Sequence, residues 1–294
     1  MSHHDRYIPG VPCWVDTTQP DPEAAAAFYG ELFGWEFEDV MPPESPRRYH
    51  MARLPGGDVA AVASPPEGSA DGATWNTYVW VEDAEATAAR VHAAGGTVLM
   101  PPMDVGDSGR MAVCADPSGA AFRVWQAGAH RGAAVVNEPG SVNFNDLNTR
   151  DLDGASAFYG AVFGWELLRV GDFSAWALPG YGDFLEARNP GMREGMAAMG
   201  APERFEDVVA TVVPIADDQP DTPPHWGVTF AVDDADEIAK RADKLGGWVV
   251  VPPFDAPWVR TTIITDPQGA TFTASKFVPE NKDIRASAGT ASGA

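Results

Sequence analysis

The chain has little of what staples small secreted scaffolds and little of what binds polyanions. Of its 294 residues only two are cysteines, Cys13 and Cys114. A disulfide framework is excluded, and a reducing, cytoplasmic setting is expected. Lysine and arginine are scarce, 20 against 42 Asp and Glu, which gives a formal net charge of −22. Such a surface repels phosphate backbones and anionic lipid, so nucleic-acid binding and membrane attachment are set aside. The charge also suits a cationic ligand, although it serves solubility equally. No apolar run reaches the roughly 18 residues that a spanning helix needs. The start, MSHHDRYIPG, lacks the apolar stretch of a secretory signal. A phosphate-cradling loop of the G-x-x-x-x-G-K type is missing, and no Ser/His/Asp or Cys/His set is legible.

What the chain does have is itself, twice. DTTQPDPEAAAAFYGELFGWE (16–36) and DLNTRDLDGASAFYGAVFGWE (146–166) share 11 of 21 positions at an offset of 130. VEDAEATAARVHAAGGTVLMPPMD (81–104) pairs with VDDADEIAKRADKLGGWVVVPPFD (232–255) at an offset of 151. RMAVCADPSGAAF (110–122) pairs with RTTIITDPQGATF (260–272) at an offset of 150. The order is kept, so the chain is a tandem duplication. The expected domains are 1–132 and 141–279, joined by a linker at 133–140. The growing offset places an insertion of about 20 residues near 187–207 of the second copy, and the polar end, 280–294, is expected to be disordered.

Within a copy the signals alternate. PCWVDT or VNFNDL reads as a strand, and Asp21-Pro22 opens a helix that Gly34 closes. Trp35 to Val40 reads as a strand, and RYHMARL and DVAAVAS as a hairpin about a PGG turn. After the loop PPEGSADGA comes the strand WNTYVWV, then a helix capped by Asp83 and ended by Gly95-Gly96. TVLM, GRMAVCA and AAFRVWQ follow as strands, with a DPSG turn before the last. Strand, helix and three strands, repeated, argue for an α+β fold rather than a doubly wound sheet.

That order, with FYGELFGWE, VEDAEATAARVHAAGG and DPSGAAFRVWQ, resembles the vicinal oxygen chelate superfamily. This group holds glyoxalase I, bleomycin-resistance proteins and extradiol dioxygenases. The resemblance implies paired βαβββ modules that curl into an open, cupped sheet, with ligand bound in the cup. It also implies two domains arranged internally like the subunits of a dimer. Metal-dependent members carry His or Glu at four strand positions. Mapped by distance from the motifs, three of these hold Trp14, Asn76 and Arg123 in the first copy and Phe144, Gly227 and Thr273 in the second. The fourth lies near Ala61 or Val62, and in the second copy at Glu186 or near Thr211. None of the six residues at the first three positions is a usual divalent-metal ligand, so no cofactor is expected. A divalent metal held by His225 with Glu186 is the alternative. The remaining histidines, at 3, 4, 50, 92 and 130, lie off the mapped positions.

Trp14, Asn76, Tyr78, Arg123, Phe144 and Trp226 are the candidate ligand-binding residues, since aromatic walls with a few polar groups describe a small-molecule pocket. Asp16 and Asp146 stand at matched places and are candidate catalytic bases or partners of a cationic group. Arg110 and Arg260 are expected in structural ion pairs. Met192, Met196 and Met199 fall on one face of a short helix in the insertion, which suits either packing or a pliable lid. The leading reading is a metal-free protein that binds or sequesters a small organic molecule, cationic or aromatic, as bleomycin-resistance relatives do. Two alternatives stay open: a metal-dependent lyase, isomerase or dioxygenase with a non-standard ligand set, and a metal-free, hydroxylase-like enzyme using Asp16 or Asp146.

Overall fold

The computed structural model describes residues 6–66, 72–170 and 173–284. His3, His4, part of the PPEGSADGA loop and the end of the chain from 285 lie outside the described residues.

The first repeat folds as β1 (Pro12–Thr18), α1 (Pro22–Phe33), β2 (Glu36–Asp39), β3 (Tyr49–Leu54), β4 (Gly57–Ala63), β5 (Thr74–Trp80), α2 (Ala84–Ala93), β6 (Thr97–Val105), β7 (Gly109–Ala115) and β8 (Ala121–Ala127). The second folds as β9 (Val142–Thr149), α3 (Leu152–Phe163), β10 (Glu166–Val170), β11 (Phe173–Ala177), α4 (Tyr181–Arg188), α5 (Met192–Met199), β12 (Val208–Pro214), β13 (His225–Ala231), α6 (Ala235–Lys244), β14 (Trp248–Ala256), β15 (Val259–Thr265) and β16 (Thr271–Phe277). Two open, mixed sheets of eight strands result, ordered β2-β3-β4-β1-β5-β8-β7-β6 and β10-β11-β12-β9-β13-β16-β15-β14. The fold is α+β with two tandem domains.

Local chemistry sets the element ends. Asp21 accepts from the Ala24 amide at 3.0 Å, Pro22 occupies the first turn of α1, and Gly34 ends the helix at φ 75°. Asp151 and Gly164 repeat this for α3, with Gly164 at φ 76°. A left-handed C-cap costs a β-carbon-bearing residue about 1 kcal/mol or more, so glycine is the residue of choice there. The edge strand β6 runs on through Pro101-Pro102, beyond the TVLM read from sequence. Its register shifts at two places against β7, where missing N–H donors do no harm.

The chain divides into two compact units that do not follow the repeat boundary. One holds Trp14–Asn76, Ala133–Asn143 and Gly227–Ala294, so it joins the first module of repeat one to the second module of repeat two. Its core stacks Val15, Phe28, Tyr29, Leu32, Trp35 and Trp75 with Phe230, Ile238 and Phe272. Each such ring or branched chain taken out of water stabilises by about 1.5–3 kcal/mol. The other unit holds Met1–Cys13, Thr77–Gly132 and Phe144–Trp226, and packs Phe122, Phe158, Tyr159, Trp165, Trp176 and Trp226.

Two helices form here, α4 just ahead of the insertion expected at 187–207 and α5 within it. α5 carries the three methionines as expected, with Met199 exposed. α4 has a weak apolar pattern and no capping side chain, which hid it from the sequence. The expected disorder from residue 280 is corrected at its start. Pro279–Asp283 forms a 3-10 turn, and the Asn281 amide donates to the Val259 carbonyl at 3.1 Å. Arg110 bonds Glu85 and Asp104, and Arg260 bonds Asp236 and Asp255, as the matched positions suggested. No helix among the described residues is long and apolar enough to cross a membrane.

Candidate functional site

The pleat of β1 puts Trp14, Asp16 and Thr18 on one face and Val15, a core residue, on the other. Asp16 is almost fully buried, at 3% exposure, and pairs in register with Ala61 on β4. A carboxylate so placed needs donors. Asn76 on β5 gives one: its amide nitrogen donates to Asp16 Oδ1 at 2.8 Å and to Thr18 Oγ1 at 3.0 Å. The Tyr49 hydroxyl, on β3, donates to Asp16 Oδ2 at 3.3 Å and accepts from the Trp14 indole N–H at 3.0 Å. An aromatic, an amide, a phenol and a carboxylate thus hold one another, the aromatic and the amide standing at two of the mapped positions. The arrangement can orient a polar organic group, pair with a cation, or present a fixed base.

In the other unit, Phe144 and Asp146 share the corresponding face of β9. Asp146 pairs in register with Thr211 on β12 and accepts from its hydroxyl. That register makes Thr211 the counterpart of Ala61. Glu186 is not on a strand. It sits on α4, where its carboxylate accepts from the Arg193 amide at 3.0 Å and the Gly191 amide at 2.7 Å. These two bonds hold its pKa below the ordinary carboxylate range. His225 is exposed at the start of β13, with Nδ1 2.9 Å from the Pro223 carbonyl.

Tyr78 and Arg123 meet across β5 and β8, with the guanidinium carbon 5.3 Å from the centre of the ring. Trp125 packs edge-on against Tyr78 at 6.3 Å. Trp226 belongs to the aromatic core. Its exposure is 5%, and its indole N–H donates to the Tyr159 hydroxyl at 2.9 Å.

The four mapped positions of the first repeat hold Trp14, Ala61, Asn76 and Arg123, and those of the second hold Phe144, Thr211, Gly227 and Thr273. They offer at most amide and hydroxyl oxygens, which does not fit a divalent metal in a protein cage. Among the described residues no group of three or more His, Cys, Asp or Glu is placed to hold a metal ion.

Two buried networks escaped the sequence reading. Tyr29 donates to Asp266 Oδ2 at 2.8 Å and accepts from the Trp75 indole at 3.1 Å; Gln19 adds a bond to the same oxygen at 2.6 Å. In the other unit Tyr159 donates to Asp116 Oδ2 at 3.1 Å. Both aspartates open the Asp-Pro-x-Gly turns, where Oδ1 accepts from the turn's own amides. The signal was present, because the FY tyrosine and the DP aspartate each occur twice. Burial, together with the facing carboxylate, pushes both phenols well above their ordinary range.

The profile of the Glyoxalase/Bleomycin resistance protein/Dioxygenase superfamily matches residues 14–124 and 139–273. The chain belongs to this superfamily, with one match in each repeat. It is 40% identical over 296 residues to "Putative glyoxylase CFP32" of Mycobacterium tuberculosis, covering 95% of this chain and 100% of that one. It is 38% identical over 280 residues to "Anthracycline biosynthesis protein DnrV" of Streptomyces peucetius, covering 91% and 93%. Among solved structures, the Mn(II)-bound glyoxalase of Novosphingobium aromaticivorans shares the fold at a TM-score of 0.58 and 17% identity, covering 92% of this chain and 83% of that one. The 2,3-dioxygenase LapB of Pseudomonas sp. KL28 does so at 0.58 and 14%, covering 92% and 93%.

Proposed function

We propose that the chain binds a small organic molecule on the face formed by β1, β3 and β5. Hydrogen bonds and ring contact hold the ligand there, without a chelated metal. One observation carries this reading: Trp14 and Asn76, at two of the positions where the resemblance maps chelating side chains, are bonded into one cluster with the buried Asp16 and the half-buried Tyr49. The set offers an aromatic wall beside a carboxylate, which favours a planar aromatic ligand bearing a cationic group. A relative named for anthracycline biosynthesis is in keeping with that ligand class.

The relative named as a glyoxylase and the Mn(II)-bound structural neighbour support a second reading, a metal-dependent glyoxalase or dioxygenase. A third keeps the metal-free site but makes Asp16 a general base, because its carboxylate is fixed by two donors.

Thermal unfolding with a cationic anthracycline, its uncharged aglycone and the hemithioacetal of glutathione and methylglyoxal separates these readings. The first predicts stabilisation by the anthracycline of about 2.7 kcal/mol at a hundredfold excess over Kd, with less for the aglycone. Trp14→Ala removes it. Stoichiometric bound metal, with hemithioacetal turnover that a chelator abolishes, would overturn the reading and favour the second. Turnover of any screened compound that Asp16→Asn abolishes, with binding intact, establishes the third.

A further inference from the structure

Arg90 on α2 and Arg241 on α6 stand at matched places, 151 residues apart. They do different things. Arg241 reaches from its helix to the last turn of α1, where a guanidinium nitrogen donates to the Glu31 carbonyl at 2.6 Å. That place suits a cation, because the last carbonyls of a helix lack partners and carry the negative end of its dipole.

Arg90 turns back onto its own helix. It donates to the Thr87 hydroxyl at 2.8 Å, and Thr87 in turn donates to the Asp83 carbonyl at 2.8 Å. The cause lies in one residue. The counterpart of Thr87 is Ile238, which is buried and offers no acceptor. The place Arg241 fills in the second repeat is therefore left open in the first.

A cleft of about 270 Å³ lies beside it, walled by Pro9 and Gly10, by Glu82, Asp83, Ala86 and Arg90, and by Val162 and Phe163 from the last turn of α3. Two of these residues are smaller than their repeat counterparts: Ala86 stands for Glu237 and Val162 for Leu32. Asp83 spends one oxygen capping α2, at 2.8 Å from the Ala86 amide. Glu82 is exposed and has no hydrogen-bond partner among the described residues. Two carboxylates and a helix C-terminus thus outweigh the one guanidinium that also lines the cleft, tied back to Thr87. The volume falls just below the roughly 300–1,000 Å³ of ordinary ligand pockets, so the occupant is a fragment-sized molecule.

We infer that this cleft binds a small alkylguanidinium compound, its planar fork taking the place that the Arg241 side chain takes in the second repeat. The site is separate from the β1–β3–β5 face and does not depend on it. Planarity matters, because an ammonium is a point charge and does not make the paired contacts of a fork.

Calorimetric titration of the full chain with agmatine tests this, with putrescine, a diamine of the same charge and chain length but no fork, as the contrast. Saturable one-to-one binding is expected for agmatine, at least about fivefold tighter than for the diamine, and weakened by salt. Thr87→Ile frees Arg90 to fill the cleft and lowers agmatine affinity about tenfold or more, with thermal unfolding intact. Arg90→Ala removes a like charge and tightens binding, and Glu82→Gln weakens it. Amide shifts on titration are confined to residues 9–10, 81–90 and 161–164. The inference is overturned by no saturable binding, by equal binding of the diamine, by unchanged affinity in Thr87→Ile, by loss of binding in Arg90→Ala, or by shifts elsewhere.

Discussion

Replacing Tyr159 with Phe removes a single oxygen and leaves the ring, so no cavity is opened. That oxygen donates to Asp116 Oδ2 at 3.1 Å and accepts from the Trp226 indole at 2.9 Å. Both partners are buried, at 3% and 5% exposure. A bond to a charged acceptor contributes about 1.5–3 kcal/mol, and stranding a buried N–H costs about 1–3 kcal/mol more. Tyr159→Phe is therefore expected to destabilise by about 2.5–6 kcal/mol. Tyr29→Phe supplies an internal control. Asp266 Oδ2 keeps the Gln19 amide at 2.6 Å, whereas Asp116 Oδ2 has no other hydrogen bond from the described residues. Tyr29→Phe should thus cost about 1 kcal/mol less. Urea denaturation followed by tryptophan fluorescence measures both, each variant being read on the transition it moves. A cost under about 1 kcal/mol for Tyr159→Phe, or a larger cost for Tyr29→Phe, refutes the reasoning.

The same phenols predict a pH dependence. Their folded-state affinity for the proton is raised, so their contribution is complete below the ordinary tyrosine value of 10.0 and is lost as pH climbs above it. The urea midpoint should fall from about pH 10 upward, by about 1.4 kcal/mol per pH unit for each tyrosine, and each Phe variant should flatten that slope. A rise in stability over this range would contradict it. Glu186 works in the opposite direction. Its pKa is lowered, so its carboxylate cap stabilises the start of α5 above the ordinary carboxylate value and is lost as pH falls. Amide exchange at residues 191–195 should quicken in acid and in Glu186→Gln at neutral pH, and unchanged protection counts against the cap. A β-carbon on Gly96 would lie 2.6 Å from the Ala115 carbonyl and 2.7 Å from the Phe158 ring, while on Gly247 its nearest neighbour is the Thr265 carbonyl at 3.0 Å. Gly96→Ala should lower the melting temperature through overpacking of about 1–3 kcal/mol, and Gly247→Ala by less; the reverse order would sink this account.

The helices were legible because their ends are written locally, in Asp21, Asp151, Gly34 and Gly164. Period two alone put Trp14 and Asp16 on one face. Tyr49, which completes that cluster, was not legible, since its meeting with Asp16 depends on strand order across β3, β4 and β1. The choice between Glu186 and Thr211 stayed open in the sequence for a related reason. Only the register of β9 with β12 shows that Thr211 holds the strand position. Asp266 and Tyr29 are 237 residues apart, so no local pattern could pair them.

Because each compact unit draws one module from either repeat, neither copy owns a complete hydrophobic interior. Severing the chain in its connector would yield two fragments, each lacking the companion that seals its aromatic rings, and structure would return only when the two meet. Duplication has here become mutual dependence. A change at Tyr29 is felt at Asp266, so the halves must evolve as a couple rather than as twins free to part.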